Sequence, residues 1–171
     1  ADAPNTFVPQ YRGTNLNHDI KDKHLLICPE QGVGDEVMFA SVLPALESIV
    51  KKSKETKVTL VCDPRLVGLF NRSFKFLTVI PKSEDNKYQN LENDLDYWIF
   101  IGSLPQFYRY KIEDFACQST YLLEDKKLCN MWKRRFKKLP HKINIGISWA
   151  GGKLKKNTRS ASLKTLIPIL S

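Results

Sequence analysis

Five short apolar runs recur along this chain, separated by helical or polar stretches: His24–Cys28 (HLLIC), Lys57–Cys62 (KVTLVC), Phe76–Ile80 (FLTVI), Tyr97–Ile101 (YWIFI) and Ile143–Trp149 (INIGISW). A continuous apolar run of that length, rather than an alternating one, is what a strand buried on both faces requires. After the first run, VMFASVLPALESIVKKSK has the apolar density and length of a helix, which Pro44 kinks or restarts. Asp63-Pro64 opens a short helix over RLVGLFNRS, with proline at a plausible first helical position. Glu124–Leu139 sets Leu128, Met131, Trp132, Phe136 and Leu139 at helical spacing among lysines and arginines, and Pro140 stops it. That pattern predicts an amphipathic helix whose apolar side faces the core. Strands alternating with helices predict an α/β fold with a Rossmann-like, mainly parallel sheet flanked by helices.

The organisation expected from these runs has three parts. Residues 1–22 are a polar, turn-rich lead-in, 23–140 form the first domain, and 141–171 begin a second α/β unit whose helix has only started at Ser171. No methionine opens the chain, as expected of a processed or excised form, and ADAPNTFVPQ lacks the basic and apolar regions of a secretory signal. With 171 residues and 42% hydrophobic content the chain can bury a core, and no window of 18 apolar residues suggests a membrane-spanning helix.

The net charge of +9 is unevenly spread: residues 126–171 hold 13 Lys and Arg and no acid, whereas residues 1–125 hold 14 bases against 18 acids. A basic end on an acidic body fits either an anionic partner near the C-terminus or a chain cut before its balancing acids. Cys28, Cys62, Cys117 and Cys129 have neither C-x-x-C spacing nor a histidine at a zinc-ligand interval, so no metal site is expected. Cys28 and Cys62 end apolar runs and should be buried thiols. Reduced cysteines without a signal segment fit the cytoplasm.

Two segments could carry chemistry. Glu30-Gln31-Gly32-Val33-Gly34-Asp35 lies between the first strand and the first long helix. Its two glycines permit a tight turn, and a helix start offers free N–H groups. It is neither G-x-G-x-x-G, since Val37 stands three after Gly34, nor a P-loop, since no G-K-[ST] follows. Asp35 is either a cap for the helix or a catalytic, acceptor-binding carboxylate. The second segment, Trp149–Ser160 (WAGGKLKKNTRS), follows the last strand with two glycines and then four bases. It is either a phosphate-binding turn or a solvated basic loop. A third feature, KKLCNMWKRRFKK, mixes bases and aromatics as nucleic-acid binders do. With Trp132 and Phe136 expected in the core, only a solvated basic face remains, which disfavours nucleic acid.

Taken in order, PEQGVGDEVMFASVLPAL, VTLVCDPRLVGLFNRSF, FIGSLPQFYR, INIGISWAGG and RSASL resemble one family across about residues 8–171. It is the glycosyltransferase-like domain found C-terminal to tetratricopeptide repeats in bacteria. That domain is related to the heptosyltransferases of glycosyltransferase family 9 and more distantly to O-GlcNAc transferases. The resemblance implies a GT-B architecture, two Rossmann-like domains facing a cleft, with acceptor on the first and nucleotide-sugar on the second. It implies that Gly32, Gly34 and Asp35 match the family's G-x-G-D element, that Asp35 is the general base, and that Gln31, Gly32 and Gly34 lie against the acceptor. Trp149–Ser160 matches the family's S-W-x-G-G and R-S segment, which implies that Gly151, Gly152, Lys153, Lys155 and Arg159 hold the donor diphosphate. The family's usual R-S-I-P-L is replaced here by Arg159-Ser160-Ala161-Ser162-Leu163.

The function so implied is sugar transfer from a nucleotide-sugar to an acceptor hydroxyl, with no metal and no cofactor beyond the donor itself. The partners are the nucleotide-sugar, the acceptor and tetratricopeptide repeats in the full-length protein. This chain would carry the acceptor-side domain and be inactive alone. The alternative is a non-catalytic glycan- or protein-binding module built on the same fold.

Overall fold

β1 (His24–Cys28) is buried along its whole length, because it has a strand on each side and side chains packed over both faces. The computed structural model describes residues 3–4, 8–83, 88, 91, 94–115, 120–140, 145–148 and 161–170. β2 (Lys57–Cys62) and β4 (Tyr97–Phe100) flank β1, and β3 (Thr78–Pro81) lies outside β2, giving the order β3-β2-β1-β4. Every pairing is parallel, with Leu26 opposite Thr59 on one side and Trp98 on the other. Four of the five expected strands are therefore present, the third shifted by two residues at its start. Of the expected fifth, residues 145–148 have no regular structure, and Ile143, Asn144 and Trp149 lie outside the described residues.

Alternation along β1 sends Leu25 and Ile27 to one face and Leu26 and Cys28 to the other. Leu25 and Ile27 join the larger cluster, with Leu43, Leu46, Leu60, Phe70, Phe74 and Ile99. Leu26 and Cys28 meet Val61, Tyr88 and Trp98 in a smaller one. Burial pushes the thiols of Cys28 and Cys62 up to about 12, as a small apolar side chain in a core should behave.

The long helix expected after β1 is broken into three pieces. α2 (Val33–Phe39) passes into a 3₁₀ segment (Ala40–Leu46) and then α3 (Glu47–Lys52). Pro44 sits inside the 3₁₀ segment, where its missing N–H interrupts the α-helical ladder. The helix after β2 begins later than Pro64 at a first helical position predicts: α4 runs Val67–Ser73. The preceding turn is held by Leu66 N–H donating to Asp63 carbonyl at 2.8 Å. The aromatic stretch after β4 forms two further 3₁₀ segments, Ile101–Phe107 and Ile112–Phe115.

The polar lead-in is built into this core. Tyr11, Leu16 and Ile20 are buried, and α1 (Leu16–Asp19) is capped by the Asn15 side chain. Trp98 N–H donates to Pro9 carbonyl at 3.1 Å and Tyr11 N–H to Trp98 carbonyl at 2.8 Å, so this segment runs beside β4. At the opposite, amino end of β1, His24 is buried, with Nε2 2.8 Å from Thr59 Oγ1 and Nδ1 3.0 Å from the Asp94 carbonyl.

The chain divides into two compact units, Ala1–Lys126 and Lys127–Ser171. In the second stretch, α5 (Lys126–Phe136) is followed by α6 (Leu163–Leu170). Within its own unit the apolar side of α5 meets no core among the described residues, unlike the expectation: Leu128, Met131, Trp132, Phe136 and Leu139 are all exposed. Helical periodicity tells which side is apolar but not what lies against it.

Burial separates the two kinds of apolar residue energetically. Phe70 is fully buried and stacks obliquely on Phe74 at 5.7 Å. Phe70→Ala should lower the unfolding free energy in urea by about 3–5 kcal/mol. Leu139→Ala should change it by no more than about 0.5 kcal/mol.

Candidate functional site

In an open parallel sheet the carboxyl ends of the strands gather loops into a common crevice, and ligands of such folds bind there. Three of those loops, after β1, β2 and β3, border an open cavity of about 410 Å³ lined by Gln31, Gly32, Val33, Glu36, Asp63, Pro64, Arg65, Lys82 and Ser83. Each loop is fixed locally. Gly32 caps α2 in extended conformation, its carbonyl accepting from Asp35 and Glu36 N–H at 2.9 and 3.1 Å. Lys82 N–H donates to Cys62 carbonyl at 2.7 Å, which draws the end of β3 against β2.

Of the acceptor-side residues expected from the sequence, Gln31 and Gly32 line this cavity, while Gly34 is exposed in the first turn of α2. Asp35 is half-buried, and its Oδ2 accepts from Gly32 N–H at 3.2 Å. That contact is the reverse half of a capping box, so the carboxylate has a structural task at the helix start. Gly151, Gly152, Lys153, Lys155 and Arg159 lie outside the described residues.

Sequence reasoning missed Glu36. Its side chain is only 4% exposed, yet it borders the cavity. Oε2 accepts from Asp63 N–H at 2.9 Å, which ties α2 to the loop after β2. Burial raises its carboxyl above the ordinary glutamate value, and Asp63 adds to the rise. The Asp63 N–H, Lys82 and Arg65 act the other way. A signal was available: Glu36 shares a helix face with Ala40 and Leu43, four and seven residues on, and both are fully buried.

Asp63 itself is locked by Arg65, which donates from Nε to Oδ1 at 2.8 Å and from Nη2 to Oδ2 at 2.9 Å. This fork, with Arg65 N–H also on Oδ1 at 2.9 Å, holds the Asp63 carboxyl down at about 2. The cavity thus contains two carboxyls and two bases. Such a wall suits a ligand carrying several hydroxyls better than a polyanion, because it offers acceptors and donors in balance.

Where β4 lies beside β1 the strand order reverses direction, and Glu30 fills the space next to Gly102: a Cβ there would collide with the Glu30 carboxylate. A second cavity, about 430 Å³, lies along α2 and the 3₁₀ segment after it, bordered by Met38, Ser41, Val42, Tyr108, Arg109, Phe115 and Tyr121 among others. Arg109 Nη2 donates to Ser41 Oγ at 2.7 Å while its guanidinium lies 4.8 Å from the Phe115 ring centroid. No group of three or more His, Cys, Asp and Glu able to hold a metal occurs among the described residues. Among them, too, no helix is long and apolar enough to cross a membrane.

Fold and cavity together define a Rossmann-like α/β domain with a polar crevice at the carboxyl ends of its parallel strands. Among curated proteins, the chain is similar to protein FlbA of Caulobacter vibrioides, with 29% identity over 169 residues, covering 90% of this chain and 27% of FlbA. The chain thus spans about a quarter of that relative's length. No family model matches the chain, and no solved structure matches it.

Glu36 gives the site a pH signature. A carboxyl whose folded pKa is raised binds its proton more tightly in the folded state. Stability therefore falls as pH rises from the unfolded value, 4.5, through the folded one, and the loss is complete above it. Glu36→Gln retains a carbonyl for Asp63 N–H but has no charge to bury. Melting curves from pH 4 to 7 should show the variant gaining on the parent as pH rises, with the difference smallest at the acid end.

Proposed function

We propose that this chain carries the acceptor-side domain of an inverting glycosyltransferase that takes its sugar from a nucleotide-sugar. The observation that carries the reading is the G-V-G-D turn leaving β1 and opening on a polar cavity at the carboxyl ends of the parallel strands. An acceptor hydroxyl seated at the turn, beside Asp35 rather than among the residues that line the cavity, must lose a proton as its oxygen attacks the anomeric carbon. The bond from that carbon to the diphosphate breaks, and the nucleotide leaves with the electron pair. Asp35 is the residue assigned to take the proton. Gln31, Gly32 and Gly34 are assigned to the acceptor. Gly151, Gly152, Lys153, Lys155 and Arg159 are assigned to the departing diphosphate, where negative charge develops. On this reading the chain by itself is inactive, and transfer belongs to the full-length protein.

One contact favours a second reading, a non-catalytic module that grips a glycan or protein: the Asp35 carboxylate is engaged with Gly32 N–H. The two are separated in the full-length protein. A panel of nucleotide-sugars at about 100 times their Kd should raise stability by about 2.7 kcal/mol if a donor site exists. With the donor so found, Asp35→Asn should cut turnover by about 10²–10⁴-fold at an unchanged melting temperature if Asp35 is the base. A lowered melting temperature with turnover retained assigns it to the cap, and a panel without any shift removes the transferase reading.

A further inference from the structure

Seven bases lie between Lys126 and Lys138 with no acid among them, and most are on α5 (Lys126–Phe136). At about 100° per residue, Met131, Trp132 and Phe136 fall on one side of α5 with Arg135 among them, and Lys133 and Arg134 on the other, while Lys137 and Leu139 follow the helix end. The apolar side is open: Met131 is 37% exposed, Trp132 44%, Phe136 47% and Leu139 47%. It is also organised. The Trp132 and Phe136 rings stack with centroids 5.7 Å apart, and the Arg135 guanidinium lies 4.8 Å from the Trp132 ring centroid.

We propose that α5 is an interfacial helix that seats the protein on an anionic lipid bilayer. Its apolar side would enter the boundary between headgroups and acyl chains, and its lysines and arginines would reach back to the headgroups along their flexible stems. The bases and the absence of acid supply the charge complementarity, since juxtamembrane basic clusters are drawn to anionic lipid. The uncovered aromatic pair chooses a bilayer over nucleic acid. A polyanion in water would engage the bases and leave Trp132 and Phe136 wet, whereas a lipid surface takes up both sides of the helix. At 11 residues the helix is far shorter than the roughly 20 residues a span requires, so it lies along the surface. This inference does not depend on the transferase reading.

The test is flotation of the full chain with phosphatidylcholine vesicles containing about 30% phosphatidylglycerol, against phosphatidylcholine alone. Flotation with the anionic vesicles only is expected, at least about tenfold weaker in 0.5 M than in 0.1 M salt. A blue shift of tryptophan emission should accompany it. Trp132→Ala/Phe136→Ala should lose at least about tenfold in affinity, and the blue shift with it, at an unchanged melting temperature because both positions are exposed. Lys133→Glu/Lys137→Glu should weaken binding similarly. The proposal is overturned by no flotation with anionic vesicles, or by flotation that the Trp132/Phe136 variant retains in full. Tighter binding to random duplex DNA than to the vesicles would assign the helix to nucleic acid. A dimer that dissociates in the aromatic variant would assign its apolar side to a second copy of the chain.

Discussion

The first domain depends on one requirement: β1 must be covered on both faces at once. Five consecutive residues with no exposed position leave no side of the strand for water, so strands must flank it and apolar layers must lie above and below. Parallel pairing follows, because crossovers that return each strand in the same direction place helices where the cover is needed. Everything near the cavity inherits its position from this arrangement. The loops that border it are the exits of β1, β2 and β3, and they converge because the three strands point the same way.

The neighbouring acids Asp35 and Glu36 show how one helical step changes what a carboxyl can do. Asp35 turns back on the helix start, within reach of solvent, and satisfies Gly32 N–H. Glu36 turns inward and satisfies Asp63 N–H across the gap between two loops. The first contact is local and stabilises a turn, while the second is long-range and positions a wall of the cavity. The two neighbouring carboxyls thus serve different parts of the fold.

Legibility in the sequence followed the kind of information each element needs. β1, β2 and β4 could be read because an uninterrupted apolar run has few other solutions, and the break at Pro44 because a missing N–H acts locally. The later start of α4 was hidden in a competition between proline at a helix start and the Asp63–Arg65 fork, which holds a turn instead. Glu36 stood out less than the glycines before it, although its helical face was already marked by Ala40 and Leu43. The exposed side of α5 was beyond periodicity altogether. An amphipathic pattern is the same for a helix on a core and a helix on a foreign surface.

The strip formed by Pro9 and Tyr11 beside Trp98 has a consequence for the edge of the sheet. Among the described residues β4 ends the sheet, and a terminal strand of aromatic and branched residues with free outward amides and carbonyls is a template for another chain to add to. Here Trp98 already spends its outward N–H and carbonyl on Pro9 and Tyr11, so the polypeptide blunts its own edge. A version of the domain trimmed to begin at β1 would lose the buried Tyr11, Leu16 and Ile20 from its core and bare that rim as well. Its failure would then combine loss of stability with strand-to-strand aggregation.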